Sequence, residues 1–133
     1  MQTRYTLDEA NEALRLVRVI ALELADRRAE LLPLRVAAER AADRADYARD
    51  ARLRELEEAS ERCRSELEQL GLTILREEPL TLHFPGASRV EGGDDPQQPV
   101  VFCWQEGEDA VGFGHADGEE EHPRRPLRVG RTS

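Results

Sequence analysis

A threonine followed three residues later by a glutamate, Thr6 and Glu9, opens the longest periodic pattern in the chain. The T-x-x-E spacing is a capping box, in which each side chain satisfies a backbone N–H that a helix start leaves orphaned. Asp8 and Glu9 also place negative charge where the helix dipole favours it. Beyond them Ala10, Leu14, Val17, Ala21, Leu24 and Leu31 recur at steps of three, four or seven, the stripe of an amphipathic helix. Leu16, Val19, Ile20 and Leu22 widen that stripe and predict cover on more than one side. Pro33 interrupts the pattern, but its neighbours are leucines and not turn formers. The expectation is a kinked helix that continues to about residue 40.

A second helix has a cleaner seam. Leu53, Leu56, Ser60, Cys63, Leu67 and Leu70 alternate steps of three and four, a heptad pattern suited to packing on the first helix. Gly71 follows where a helix needs a residue that tolerates the left-handed region. Residues 41–50 hold the tip of any hairpin and contain neither Gly nor Pro, only Asp43, Asp46 and Asp50 as turn formers. Two arrangements stay open. The helices fold back within residues 1–71 as an antiparallel hairpin, or they run on and pair with a second chain as a homodimer.

After Gly71 the period becomes two. Leu72 and Ile74, then Leu80, Leu82 and Phe84, alternate with polar residues, and Glu78-Pro79 separates the runs. Residues 85–99 are rich in Gly, Pro and Asp and predict a long mobile loop. Val100–Trp104 and Asp109–Gly114 flank Glu106-Gly107 as a β-hairpin would. A two-residue turn there pairs Trp104 with Asp109. One face then carries Val100, Phe102, Trp104, Val111 and Phe113, and the other carries Val101 and Cys103. In that register His115 lies opposite Cys103; a three-residue turn or a bulge brings them to one face. The predicted fold is α+β: a long two-helix hairpin with an antiparallel sheet of three or four strands over 72–115, and a poorly ordered tail over 116–133. All of this forms one domain.

Composition limits the function. Charged residues make up 35% and aromatic residues 5%, a profile of exposed helices more than of a compact enzyme core. The net charge of −9 argues against nucleic acid as a partner, despite Arg124, Arg125, Arg128 and Arg131 near the end. All 19 basic residues are arginine. The opening MQTRYTLDEA has no apolar signal region, and no run approaches a membrane span. Cys63 and Cys103 fall in different elements, so a reducing, cytoplasmic location is expected.

Cys103, Glu108, His115 and His83 are the soft or borderline ligand types of the β part, with His83 read as a strand residue at the rim, and Cys103, Glu108, His115 and Arg124 are the candidate ligand-binding residues. Cys103 and His115 are of the types that hold zinc, although no C-x-x-C or H-E-x-x-H spacing is present. Arg124 could clamp a carboxylate or phosphate. No nucleophile motif and no glycine-rich phosphate loop occurs, so the chain leans away from an enzyme. The leading expectation is a non-enzymatic interaction or oligomerisation module, acting on itself or on another protein. The alternative is a small-molecule or metal-binding protein, or an enzyme, with its site in the β part.

The opening Tyr5-Thr6-Leu7-Asp8-Glu9-Ala10-Asn11, then Phe84-Pro85, Cys103-Trp104, Gly107-Glu108, His115 and Arg124-Arg125-Pro126-Leu127, occur in that order. In this the chain resembles the small prokaryotic family catalogued as domain of unknown function 2203. The resemblance covers nearly the whole chain and implies no activity, since none is established for the family. The chain departs from the family pattern at His83, where Asp is usual, and at Gly114, where Trp is usual. Glu119, Glu120, Glu121, His122 and Pro123 replace a glycine-rich turn.

Overall fold

The computed structural model describes residues 4–41, 44–89, 99–116 and 125–126. The expected α+β architecture is present. Helix α1 spans Leu7–Arg40 and helix α2 spans Tyr47–Gln69. An antiparallel meander follows, with β1 Thr73–Glu77, β2 Leu80–Arg89, β3 Pro99–Gln105 and β4 Phe113–Ala116. A two-residue fifth strand, β5 Arg125–Pro126, pairs with β4 inside the segment expected to be a tail.

Both reciprocal bonds of the capping box are made. The Glu9 N–H donates to Thr6 Oγ1 at 3.1 Å, and the Thr6 N–H donates to Glu9 Oε1 at 2.9 Å. Pro33 lies inside α1, so the helix passes through it as expected. Asp46 caps α2 by accepting the Arg49 N–H at 3.0 Å, which starts a new helix without glycine or proline at the tip. The hairpin therefore closes within one chain. Arg52 pairs with Glu30 across the two helices through Nε and one terminal nitrogen, at 2.6 and 2.8 Å. Gly71 ends the helical half with φ of 88°, a conformation that only glycine adopts cheaply.

The stripe expected for α1 is its buried face: Ala10, Leu14, Val17, Ala21, Leu24 and Leu31 are all buried, with Ile20. The widening predicted from Leu16, Val19 and Leu22 is not cover, since these are 55%, 63% and 56% exposed. They stand outside the core cluster, which leaves an apolar row in solvent. Cys63 and Leu67 of α2 join Leu72, Leu80, Leu82, Phe84, Val100, Phe102, Trp104 and Val111 in one core with α1. Cys63 donates its thiol to Glu23 Oε2 at 3.4 Å, and burial, reinforced by that carboxylate, pushes the thiol up to about 11. It is therefore a protonated core residue at neutral pH and a poor nucleophile.

The second strand, β2, is longer than its sequence suggests. Phe84-Pro85-Gly86-Ala87 does not turn; it continues β2 to Arg89. The reason lies at the other end of the chain. Tyr5 pairs in parallel with Gly86, its N–H donating to the Pro85 carbonyl at 2.8 Å and its carbonyl accepting the Ala87 N–H at 2.7 Å. A side chain at Gly86 would meet Val100 at 2.5 Å, so the close approach of β2 and β3 there needs glycine. Residues 90–98 of the expected loop lie outside the described residues. Among the described residues no helix is long and apolar enough to cross a membrane.

Candidate functional site

The sheet has two faces, and both bury side chains. Register puts Leu82 opposite Trp104 and Phe84 opposite Phe102, and all four belong to the helix-packed core. The alternate residues point the other way. His83 pairs with Cys103 and Pro85 with Val101 across β2 and β3. Val101 pairs with His115 and Cys103 with Phe113 across β3 and β4. Val101, Cys103 and His115 are buried, yet none of them belongs to the core cluster. Thr81, on the same second face, is fully buried and donates its hydroxyl to the Pro79 carbonyl at 2.9 Å.

On this second face two imidazoles meet. His83 comes from β2 and His115 from β4, so they reach toward each other over β3. Their Nε2 atoms are 3.4 Å apart, with ring centroids 4.9 Å apart and ring planes at 69°. His115 is 3% exposed and His83 is half-buried. Cys103, 1% exposed, occupies the strand between them on the same face.

This meeting depends on a register that the expected two-residue turn does not give. Glu106-Gly107 begins a longer connection through residues 106–112, and Cys103, not Trp104, is the last β3 residue with a β4 partner. The odd shift turns β4 over. Phe113, expected among the core residues, faces Cys103 instead, and His115 joins the face of Cys103 and His83. The connection is held by its own polar groups. Gly107 has φ of 98°. Glu108 Oε1 accepts the Gln105 N–H at 2.8 Å, and the Glu108 N–H donates to the Gln105 carbonyl at 3.0 Å. Trp104 Nε1 donates to the Glu108 carbonyl at 2.9 Å. Glu106 Oε1 accepts the Leu80 N–H at 2.6 Å, tying the same turn to β2. Cys103-Trp104-x-x-Gly107-Glu108 thus reads in three dimensions as a strand end, its indole anchor and its turn cap.

Of the candidate residues, the structure brings Cys103 and His115 onto one face. Glu108 is not with them. It caps the turn beyond Gln105, and Gln105 is four residues along β3 from Val101, the partner of His115, or roughly 13 Å at strand rise. Arg124 lies outside the described residues. The residue absent from the candidate set is His83. Its signal was in the sequence: Leu82 and Phe84 are apolar neighbours of a strand whose alternation sends His83 to the opposite face.

Two imidazoles can share a proton, accept and donate to a polar ligand, or ligate a metal ion. Among the described residues no group of three or more His, Cys, Asp or Glu is placed to hold an ion. Two clefts lie elsewhere. One is lined by Arg18, Leu22, Trp104, Glu108 and Asp109, and the Arg18 guanidinium donates to the Asp109 carbonyl across it. The other, between the helices, is lined by Arg27, Arg52, Arg62, Glu55 and Glu58, so its charges largely answer one another.

Compared with known proteins, residues 4–127 match the sequence model of a family described as an uncharacterized conserved protein, DUF2203. No curated protein and no solved structure matches the chain.

Proposed function

The chain belongs to this family of uncharacterised conserved proteins, whose match runs over nearly all of its length, and we propose that it is a binding protein for a metal ion or small molecule, with the second face of the sheet as its site. The observation that carries this reading is the convergence of His83 and His115 at 3.4 Å on strands flanking Cys103. A sheet face with no binding task is served more cheaply by aliphatic side chains, because polar groups removed from water need partners. The strands also hold the two rings in fixed register, which is the preorganisation a binding site requires. Two buried cysteines outside any disulfide, Cys63 and Cys103, accord with a reducing, cytoplasmic location.

The test is the imidazole NMR spectrum of the protein titrated with carboxylates and phosphates, and separately with metal ions. Saturable shifts at His83 and His115 are expected for at least one class. A ligand present at a hundred times its Kd stabilises the fold by about 2.7 kcal/mol, and the variants His83→Ala and His115→Ala should lose that gain. Rings that respond to neither class would remove the reading.

A second reading, a protein-interaction module, is favoured by the outward row of Leu16, Val19 and Leu22 on α1. Glu12, Arg15, Glu23 and Asp26 edge this row and are exposed. An antiparallel second copy centred on Val19 would set Glu12 against Asp26, a like-charge contact, and Arg15 against Glu23, an opposite-charge one, so the net acidic edge is only partly answered. The complementary occupant is a basic amphipathic helix of another protein. Calorimetry with an arginine-rich amphipathic peptide should show saturable binding that Val19→Glu abolishes. A concentration-dependent dimer that Val19→Glu dissolves would give the face to a second copy instead. A monomer that ignores the peptide would refute the reading.

A further inference from the structure

We infer that the cleft between α1 and α2 binds a small dianion of the phosphate class, clamped between the guanidinium groups of Arg27 and Arg62. This site is separate from the sheet face, and neither reading depends on the other.

Taken as a sum, the charges lining this cleft nearly cancel; taken pair by pair, they do not. Arg52 engages two carboxylates by itself. Its Nε and one terminal nitrogen bond both oxygens of Glu30, at 2.6 and 2.8 Å, and its other terminal nitrogen donates to Glu55 Oε2 at 3.0 Å. Glu30 lies in the field of Arg27, but both of its oxygens are already committed to Arg52. Arg27 comes from α1 and Arg62 from α2, and both line the cleft. Among the described residues neither makes a hydrogen bond or an ion pair. Arg27 is the sharper case. Its Nε is buried with no acceptor among the described residues, a state that costs free energy for a charged donor removed from water. The two terminal nitrogens remain the donors that a ligand in the cleft can reach. Two cations brought to one cleft repel each other unless an anion lies between them. Two guanidiniums without a carboxylate of their own carry two positive charges, so the complementary ligand is a dianion and not a single carboxylate. Guanidinium forks match phosphate oxygens two at a time. Glu58, the remaining carboxylate of the lining, is exposed, and water screens it. Leu56 and Ala59, both buried, give the lining an apolar part on which a short organic group can lie. The cleft holds about 270 Å³, just under the roughly 300 Å³ at which pockets for drug-sized molecules begin, so the ligand is small.

The experiment is calorimetry on the full chain at constant ionic strength, with inorganic phosphate, phenyl phosphate and acetate as probes. The expected result is one saturable site for the two phosphates, with acetate much weaker. Binding should weaken as pH falls through about 6, where the phosphate group loses its second charge while the guanidiniums keep theirs. Arg27→Gln and Arg62→Gln should each weaken it by roughly 10-fold or more, the worth of a charge-assisted hydrogen bond. Glu58→Gln, which removes the opposing carboxylate, should strengthen it; a merely structural role for the two arginines predicts no such gain. Circular dichroism confirms that each variant is folded. Tighter binding of phenyl phosphate would identify an organic phosphate as the ligand, and equal binding would identify the free anion. The absence of saturable binding of either phosphate overturns the inference, and so does undiminished binding by the folded Arg27→Gln/Arg62→Gln double variant. If that double variant still binds phosphate and the His83 and His115 imidazoles shift with it, the anion belongs to the sheet face: the cleft inference falls and the binding reading stands.

Discussion

Replacing Phe84 by alanine is expected to unfold the protein or bring it close to unfolding. Phe84 is fully buried, sits opposite Phe102 and meets Tyr5 edge-on with ring centroids 5.5 Å apart and planes at 86°. Removing a buried phenyl ring costs about 3–5 kcal/mol through lost transfer energy and the cavity left behind. The lost aromatic pair adds about 0.5–1.5 kcal/mol. Set against a total of about 5–15 kcal/mol for a domain, that leaves little margin. The position is also a junction. Tyr5 carries the N-terminal segment onto β2, and its hydroxyl donates to the Leu70 carbonyl at 2.5 Å at the end of α2. The loss should therefore appear in both helix and sheet signals at one urea midpoint. Tyr5→Phe removes only the hydroxyl and should cost about 0.5–1.5 kcal/mol. A Phe84→Ala protein within 1 kcal/mol of wild type would mean that Phe84 does not link the two layers.

The helical half was legible because its signals are local. Thr6 and Glu9 fix one end, and Gly71 fixes the other; each is read from residues within a turn of the boundary. The seam of α2 and the stripe of α1 follow from periodicity alone. The reading failed where contacts come from far along the chain. Pro85-Gly86 looks like a turn until Tyr5, remote in sequence, supplies the partner that keeps it extended. Leu16, Val19 and Leu22 looked like core because a helix can be covered from two sides, and nothing in a single sequence says that only one side is covered.

The candidate site was half-legible for a sharper reason. Which residues share a face depends on the parity of one connection, and parity is set by side chains outside the strands. Gly107, Glu108 and Trp104 build a turn longer than Glu106-Gly107 suggests, and the odd shift moves His115 across the sheet. His83 is a ligand type by the sequence but reads there as a strand residue with its ring at the rim, because its partner Cys103 is reached only through residues 90–98, whose length hides the register. The position has a further interest. The family pattern suggests Asp where this chain has His83, so the residue that departs from the pattern is the one that faces His115.

Asn11→Ala is the second substitution with a large expected effect, and it tests how the helices hold the site. The Asn11 side chain acts as a short stretch of strand. Its Oδ1 accepts the Val111 N–H at 2.8 Å, and its Nδ2 donates to the Val111 carbonyl at 3.2 Å and to the Leu7 carbonyl at 3.1 Å. The amide orientation is forced, because only oxygen can accept the N–H. Val111 is buried in the core two residues before β4, which carries His115. Alanine would leave the N–H and carbonyl of a buried residue without their partners, at about 1–3 kcal/mol for each unsatisfied group. A total loss of about 2–6 kcal/mol is expected in urea unfolding. Hydrogen exchange at the Val111 amide should accelerate even where the fold survives, because its acceptor is gone. Asn11→Asp separates the two bonds. A carboxylate still accepts the N–H but cannot donate to the carbonyl, so its cost should fall between wild type and alanine at neutral pH. The functional consequence is directional: releasing Val111 loosens the register of β4, and the response of His115 to any ligand should weaken in proportion to the lost protection. Protection and binding unchanged in Asn11→Ala would show that the turn built by Gly107 and Glu108 sets the face of His115 without help from the helix.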